Sequence, residues 1–186
     1  MVFIFNPFTK IAGGKALWIG GLFAILTLAI SYFSHSAFDG VIDFHVAPFT
    51  SIWPYVSFYI ISWLCLVLFL GLTGLLFTKT RFRWIDILGT TLLSRAPLLL
   101  VALAAFAIPY IDKEQLSDIT QIHFTAGFFI ASFFSLICII WTVALYYNSY
   151  RVCINIYGSK AVWTFILALI LAEITSLVFI HSIHFK

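Results

Sequence analysis

The sequence predicts an all-α, polytopic integral membrane protein, a bundle of five transmembrane helices with its amino terminus in the cytoplasm and its carboxyl terminus outside. Three observations predict it. First, 63% of the 186 residues are hydrophobic and 9% charged, where a soluble domain carries about 25% charged residues. Second, the apolar residues gather into five runs of 18 to 24 residues, matching the roughly 20 a helix needs to cross a hydrocarbon core of about 30 Å. Third, setting Arg95 aside, seven Lys/Arg fall in loops on one side of these runs and two on the other, which by the positive-inside rule orients the chain.

Residues 1–15, "MVFIFNPFTKIAGGK", read as a short interfacial segment, with Phe3, Phe5 and Phe8 among headgroups and Lys10 and Lys15 facing anionic lipid. The first span, 16–33, is longer than the 7–15 apolar residues of a signal peptide and is read as retained. The loop after it mixes acids, prolines and aromatics; Trp53 and Tyr55 look like interfacial anchors, so this loop is expected to lie on the membrane. The second span, 55–77, leads to the basic loop holding Lys79, Arg81 and Arg83. The third, 87–108, is followed by Asp112, Lys113, Glu114 and Asp118 on the outer side. The fourth, 124–147, returns the chain to Arg151 and Lys160, and the fifth, 161–180, ends outside. Gly127, Ala131 and Ser135 recur every four residues in the fourth span, as Ala168, Ala172 and Ser176 do in the fifth. Small residues let membrane helices approach closely, so these two spans are expected to be neighbours. With loops this short, the whole of 1–186 is one membrane domain. Basic residues scattered through such loops exclude nucleic acid as a partner, and the three cysteines give no disulfide or metal framework.

Arg95 stands in "LLSRAPLLL" (92–100) and Glu173 is the lone carboxylate within the fifth span. An isolated charge at mid-membrane costs at least about 2.5–3.5 kcal/mol. Arg95 lies ~14 Å and Glu173 ~18 Å from the cytoplasmic starts of their helices at 1.5 Å per residue, close enough in depth for an ion pair between adjacent helices. Pro97 has no N–H, so the Leu93 carbonyl loses its helical partner and is an acceptor within reach of Arg95. Ser94 and Thr91 offer hydroxyls, and Asp86 opens the helix. Two other arrangements stay open: Arg95 reaching to the headgroups, or Glu173 carrying its proton.

All five histidines, His35, His45, His123, His181 and His184, fall on the predicted outer side. His35 and Asp39 are spaced i,i+4, Asp43 and His45 flank one residue, and His181 and His184 are i,i+3. Imidazole with carboxylate suits a zinc-like divalent metal ion, and this set is a candidate site for one; hydrogen bonding to water and headgroups is the plainer alternative. No HExxH, GxSxG or Walker loop occurs, and no catalytic residue is assigned; the chain is expected not to be an enzyme.

The stretch "RFRWIDILGTTLLSRAPLLL" (81–100) resembles the bacterial branch of the Yip family of five-span membrane proteins, in its basic loop, its aspartate opening the helix, and its arginine followed by proline. "FNPF" (5–8) and "YGSKAVWTFILALILAEI" (157–174) add to the likeness. Asp86, Arg95, Pro97 and Glu173 are the matching positions. The resemblance implies a membrane-integral, non-enzymatic role. Eukaryotic members bind Ypt/Rab GTPases through a long cytosolic amino-terminal region; about fifteen residues stand there in this chain, so Rab-type GTPase binding is not carried over, and a bacterial inner membrane is the expected home. Two functional readings follow. The first is a membrane component organising lipids, other membrane proteins or further copies of itself. The second is a small permease or divalent-ion-binding protein, with the outer histidines and acids as entrance and Arg95/Glu173 as a gate.

Overall fold

The computed structural model describes residues 2–78, 81–111 and 124–184. Five helices in it are long and apolar enough to cross a membrane: Gly13–Ser34, Trp53–Phe77, Trp84–Ala107, Ala126–Ile154 and Gly158–Ile183. They are called here the first to fifth crossings. The ends of the bundle are named by their charges. The basic end carries Lys10, Lys15, Arg81, Arg83, Arg151 and Lys160; the acidic end carries Asp39, Asp43 and the described histidines.

Local sequence sets the helix ends. The first crossing stops where His35 turns left-handed (φ 56°). Pro54 sits in the first turn of the second, where a missing N–H is harmless. Thr125 caps the fourth by accepting from Phe128 N, and Asn155 in left-handed conformation closes it. That crossing runs seven residues beyond the apolar stretch, because Asn148 to Ile154 continue the helix. The third is two helices, Trp84–Ser94 and Leu98–Ala104, with a break between them at Arg95–Pro97.

The third crossing is the centre of the bundle. It packs along the first crossing, then on the fourth and the second, while the fifth packs along the second. Contact between first and third depends on two glycines. A Cβ on Gly20 would meet the backbone at Leu92 and Leu93, and one on Gly89 the backbone of Gly13 and Leu17. Third and fourth crossings are linked by Thr90 Oγ1 and Ser149 Oγ at 2.6 Å.

The rows of small residues act on other partners than expected. Ala168 and Ala172 are fully buried in the cluster that includes Cys65 and Leu66 of the second crossing. Ala131 faces the third crossing across Leu100, Leu103 and Ala104. Fourth and fifth crossings meet mainly near the basic end, where Tyr150 OH donates to Thr164 Oγ1 (2.9 Å) and Phe165 lies against the Tyr147 and Tyr150 rings.

Two connections differ from their sequence reading. The amino-terminal segment, a helical turn at Val2–Phe5 and a 3-10 turn at Pro7–Thr9, is docked rather than merely interfacial. Trp141 Nε1 donates to Ile4 O (3.2 Å), Asn148 Nδ2 to Phe5 O (2.9 Å), and Phe8 is buried with Ala16, Leu93 and Leu145. The loop from His35 to Ile52 is exposed over much of its later half, but its first part turns inward. It opens as a two-residue antiparallel pairing, β1 (Ser36–Ala37) with β2 (His45–Val46), and its tip enters the bundle, burying Ala37, Phe38 and Val41.

Candidate functional site

A polypeptide tip inside a membrane bundle exposes N–H and C=O groups that lipid cannot satisfy, and each unmet group is costly. Here the fifth crossing supplies the acceptor. Glu173 Oε2 accepts from Val41 N at 2.7 Å and from Ile42 N at 3.1 Å. The Val41 carbonyl is met by Tyr146 OH at 3.5 Å, a long contact. Gly40 is required at this point: a Cβ there would collide with Glu173 Oε1 and the Asp43 side chain. Glu173 stands ten residues from Ile183, so the tip reaches ~15 Å down the fifth crossing.

Above the tip the loop is tied in place. Tyr55 OH donates to Ala47 O (2.7 Å) and accepts from Phe49 N (3.1 Å), while Ala47 N donates to His35 O (2.7 Å). Asp39 Oδ1 lies 3.0 Å from His45 Nδ1. The bond to Asp39 is the main cause that raises the His45 imidazolium pKa above its ordinary value, against the opposing effect of burial. Asp43 is raised as well, first by partial removal from water and then by the Asp39 charge. Beside Asp39, a cleft of about 420 Å³ opens against Leu177, His181 and Ser182 of the fifth crossing.

Arg95 occupies a separate chamber. Its side chain is fully buried, the largest such side chain among the described residues. Both terminal guanidinium nitrogens donate to Ser62 Oγ at 3.0 Å, and Cζ sits 4.1 Å from the centre of the Tyr59 ring. Nε has no partner. A hydrogen bond to a charged group contributes about 1.5–3 kcal/mol and a desolvated cation–π contact about 2 kcal/mol. These offset part of a desolvation penalty of several kcal/mol.

The expected ion pair between Arg95 and Glu173 therefore does not form. The pair needs third and fifth crossings side by side; the fifth packs along the second crossing instead, and the second, which also touches the third, supplies Ser62 and Tyr59 to Arg95. The supporting groups are also engaged elsewhere. Leu93 O, freed by Pro97, accepts from Ala96 N (3.1 Å) as the helix tightens at the break. Thr91 donates to Ile87 O (2.6 Å) and accepts from Trp63 Nε1 (3.1 Å), and Ser94 donates to Thr90 O (2.7 Å). Asp86 pairs with Arg83 (2.9 and 3.0 Å) beside Gly13.

Of the proposed metal set, the structure brings Asp39 and His45 into contact, with Asp43 near them and His181 across the cleft. His35 is elsewhere: the helix ends before it, so the i,i+4 spacing to Asp39 is lost, and Nδ1 lies 3.4 Å from Tyr55 OH. His123 and the side chain of His184 fall outside the described residues. Among the described residues no group of three or more His, Cys, Asp or Glu is arranged to hold a metal ion. Sequence reasoning missed Ser62, Tyr59, Tyr146 and Gly40. Gly40, between two aspartates in a loop rich in aromatics, was the readable hint that backbone and another group come close there.

At the basic end a second concave feature runs beneath the amino-terminal segment. It is an almost wholly apolar groove of about 490 Å³ between that segment and the first, third and fourth crossings. Comparison with protein-family models, with curated proteins and with solved structures finds no match.

Proposed function

We propose that this chain is a non-enzymatic integral membrane protein that organises lipid or protein partners in its membrane, on the pattern of the bacterial Yip branch that residues 81–100 resemble. The observation that carries this reading is that its two intramembrane charges are both spent on architecture. Glu173 secures the loop tip and Arg95 is enclosed by Ser62 and Tyr59, so neither is a gate poised to part. By the positive-inside rule the basic end faces the cytoplasm, and a bacterial inner membrane is the natural location.

One observation favours the second reading, a small permease or ion-binding protein: the acidic cleft, with Asp39 and His45 paired at its rim and His181 in its wall. Reconstitution separates the two. In vesicles loaded with a pH-sensitive or zinc-sensitive dye, the organising role predicts no flux above protein-free vesicles. Flux that Glu173→Gln abolishes would replace that role with transport.

A further inference from the structure

We propose that the groove at the basic end binds one acyl chain of an anionic phospholipid, whose headgroup meets Lys10. The proposal rests on the organising role above and names the ligand of that role.

The break at Arg95–Pro97 interrupts the third crossing, and Ala96, Pro97 and Leu100 line the space it leaves. Ile4, Pro7 and Ile11 close the groove from the amino-terminal side. That roof is fixed, because Trp141 and Asn148 hold the Ile4 and Phe5 carbonyls. Trp141 also forms part of the wall. Counting from the starts of their helices, Phe23 lies ~15 Å and Leu100 ~24 Å deep at 1.5 Å per residue. The groove thus runs from the surface to mid-membrane along a nearly apolar wall, the shape and chemistry of a lipid tail.

Charge at the rim selects the headgroup. Lys10 is exposed, and its N–H and that of Ile11 both donate to Pro7 O at 3.0 Å. Its backbone therefore sits between two residues that line the groove. No acidic residue occurs in the first 38 positions, so this cation has no counter-charge on its own segment. A phosphodiester is the complementary group that the surrounding membrane offers at this level.

Trp141 reports occupancy directly. The full chain is reconstituted in phosphatidylcholine vesicles containing either phosphatidylglycerol or phosphatidylcholine with brominated acyl chains. The Trp141 share of tryptophan quenching is obtained by difference from Trp141→Phe. Brominated phosphatidylglycerol is expected to quench Trp141 saturably, at about five-fold lower mole fraction than brominated phosphatidylcholine, the factor one near-surface lysine supplies. Lys10→Gln should abolish that preference, and Lys160→Gln, at the same end but away from the groove, should keep it. Both lysines are exposed, so neither exchange disturbs the core. Equal quenching by the two headgroups overturns the proposal. So does a Trp141 that bromine reaches only when protein is diluted in lipid, which would assign the groove to a second copy. Ion flux in the dye assay with the headgroup preference intact would remove the organising role and leave the lipid site standing; absent flux with no preference would do the reverse.

Discussion

Glu173 holds Val41: the carboxylate of the fifth crossing accepts the backbone N–H of a loop that descends between helices, at 2.7 Å. Val41 and Glu173 are 132 residues apart in sequence. This bond, with its neighbour at Ile42, explains why an acid is kept in an otherwise apolar helix. Removing the acceptor leaves two buried donors unmet, at about 1–3 kcal/mol each. Glu173→Ala is therefore expected to lower the melting temperature in detergent clearly, and Glu173→Gln, whose carbonyl oxygen still accepts, to lower it less. Gly40→Ala should resemble Glu173→Ala, since its methyl displaces the carboxylate. Amide exchange at residues 38–44 checks the cause: protection should fall there in Glu173→Ala and stay unchanged around Arg95.

Arg95 gives the opposite expectation. Removing one partner of a buried charge is damaging, whereas replacing the charge by an apolar group of similar size is often neutral or stabilising. Ser62→Ala should destabilise by about 1.5–3 kcal/mol, and Arg95→Met should leave thermal stability unchanged or raise it. In the Arg95→Met background Ser62→Ala should have little further effect, because the two residues are coupled. Additive losses in that double-mutant cycle would mean that Ser62 acts through something other than the guanidinium.

The number of the crossings was legible in the sequence, since length and apolarity decide whether a helix can span lipid; their ends were less so, the fourth helix running on to Ile154. Partner choice was not. Arg95 and Glu173 have compatible depths, yet depth does not say which helices touch. That is set by side-to-side packing, in which Gly20 and Gly89 draw first and third crossings together and Ala168 and Ala172 draw the fifth to the second. The loop tip was hidden for a different reason. "DFHVAPF" (43–49) has the composition of an interfacial loop, and only a remote carboxylate makes burial of its neighbour Val41 tolerable. Asp39 and His45 both belong to the candidate metal set, and the structure brings them together across a short hairpin, as an ion pair when His45 is protonated.

That ion pair and Asp43 give the acidic end a dependence on pH. The His45 pKa is raised in the folded protein, so its contribution to stability is complete below its unfolded value near 6.5 and is lost as pH rises through the folded value. The Asp43 pKa is raised too. Its ionisation therefore opposes the fold at higher pH, and the opposition is relieved as pH falls through the folded value. Both effects tighten the loop in mild acid. Amide protection at residues 36–37 and 45–47 should be greater near pH 5.5 than near pH 8, and His45→Gln should flatten the part of the change that lies above pH 6.

Adjacent glycines in the first crossing give the sharpest test of the packing. Gly20 faces the third crossing, where a Cβ would press on the backbone at Leu92 and Leu93; Gly21 has open space at the corresponding position. Both lie in the middle of one helix, so the gain in helix propensity on changing either to alanine is the same, about 0.8–1 kcal/mol. What differs is the neighbour. Backbone cannot swing aside as a side chain can, and overpacking costs about 1–3 kcal/mol. Gly21→Ala is expected to raise the melting temperature slightly. Gly20→Ala should lower it, and Gly20→Leu should prevent the first crossing from docking, seen as loss of amide protection on both sides of the Arg95 break. If the two alanine variants melt alike, the first and third crossings do not meet at Gly20.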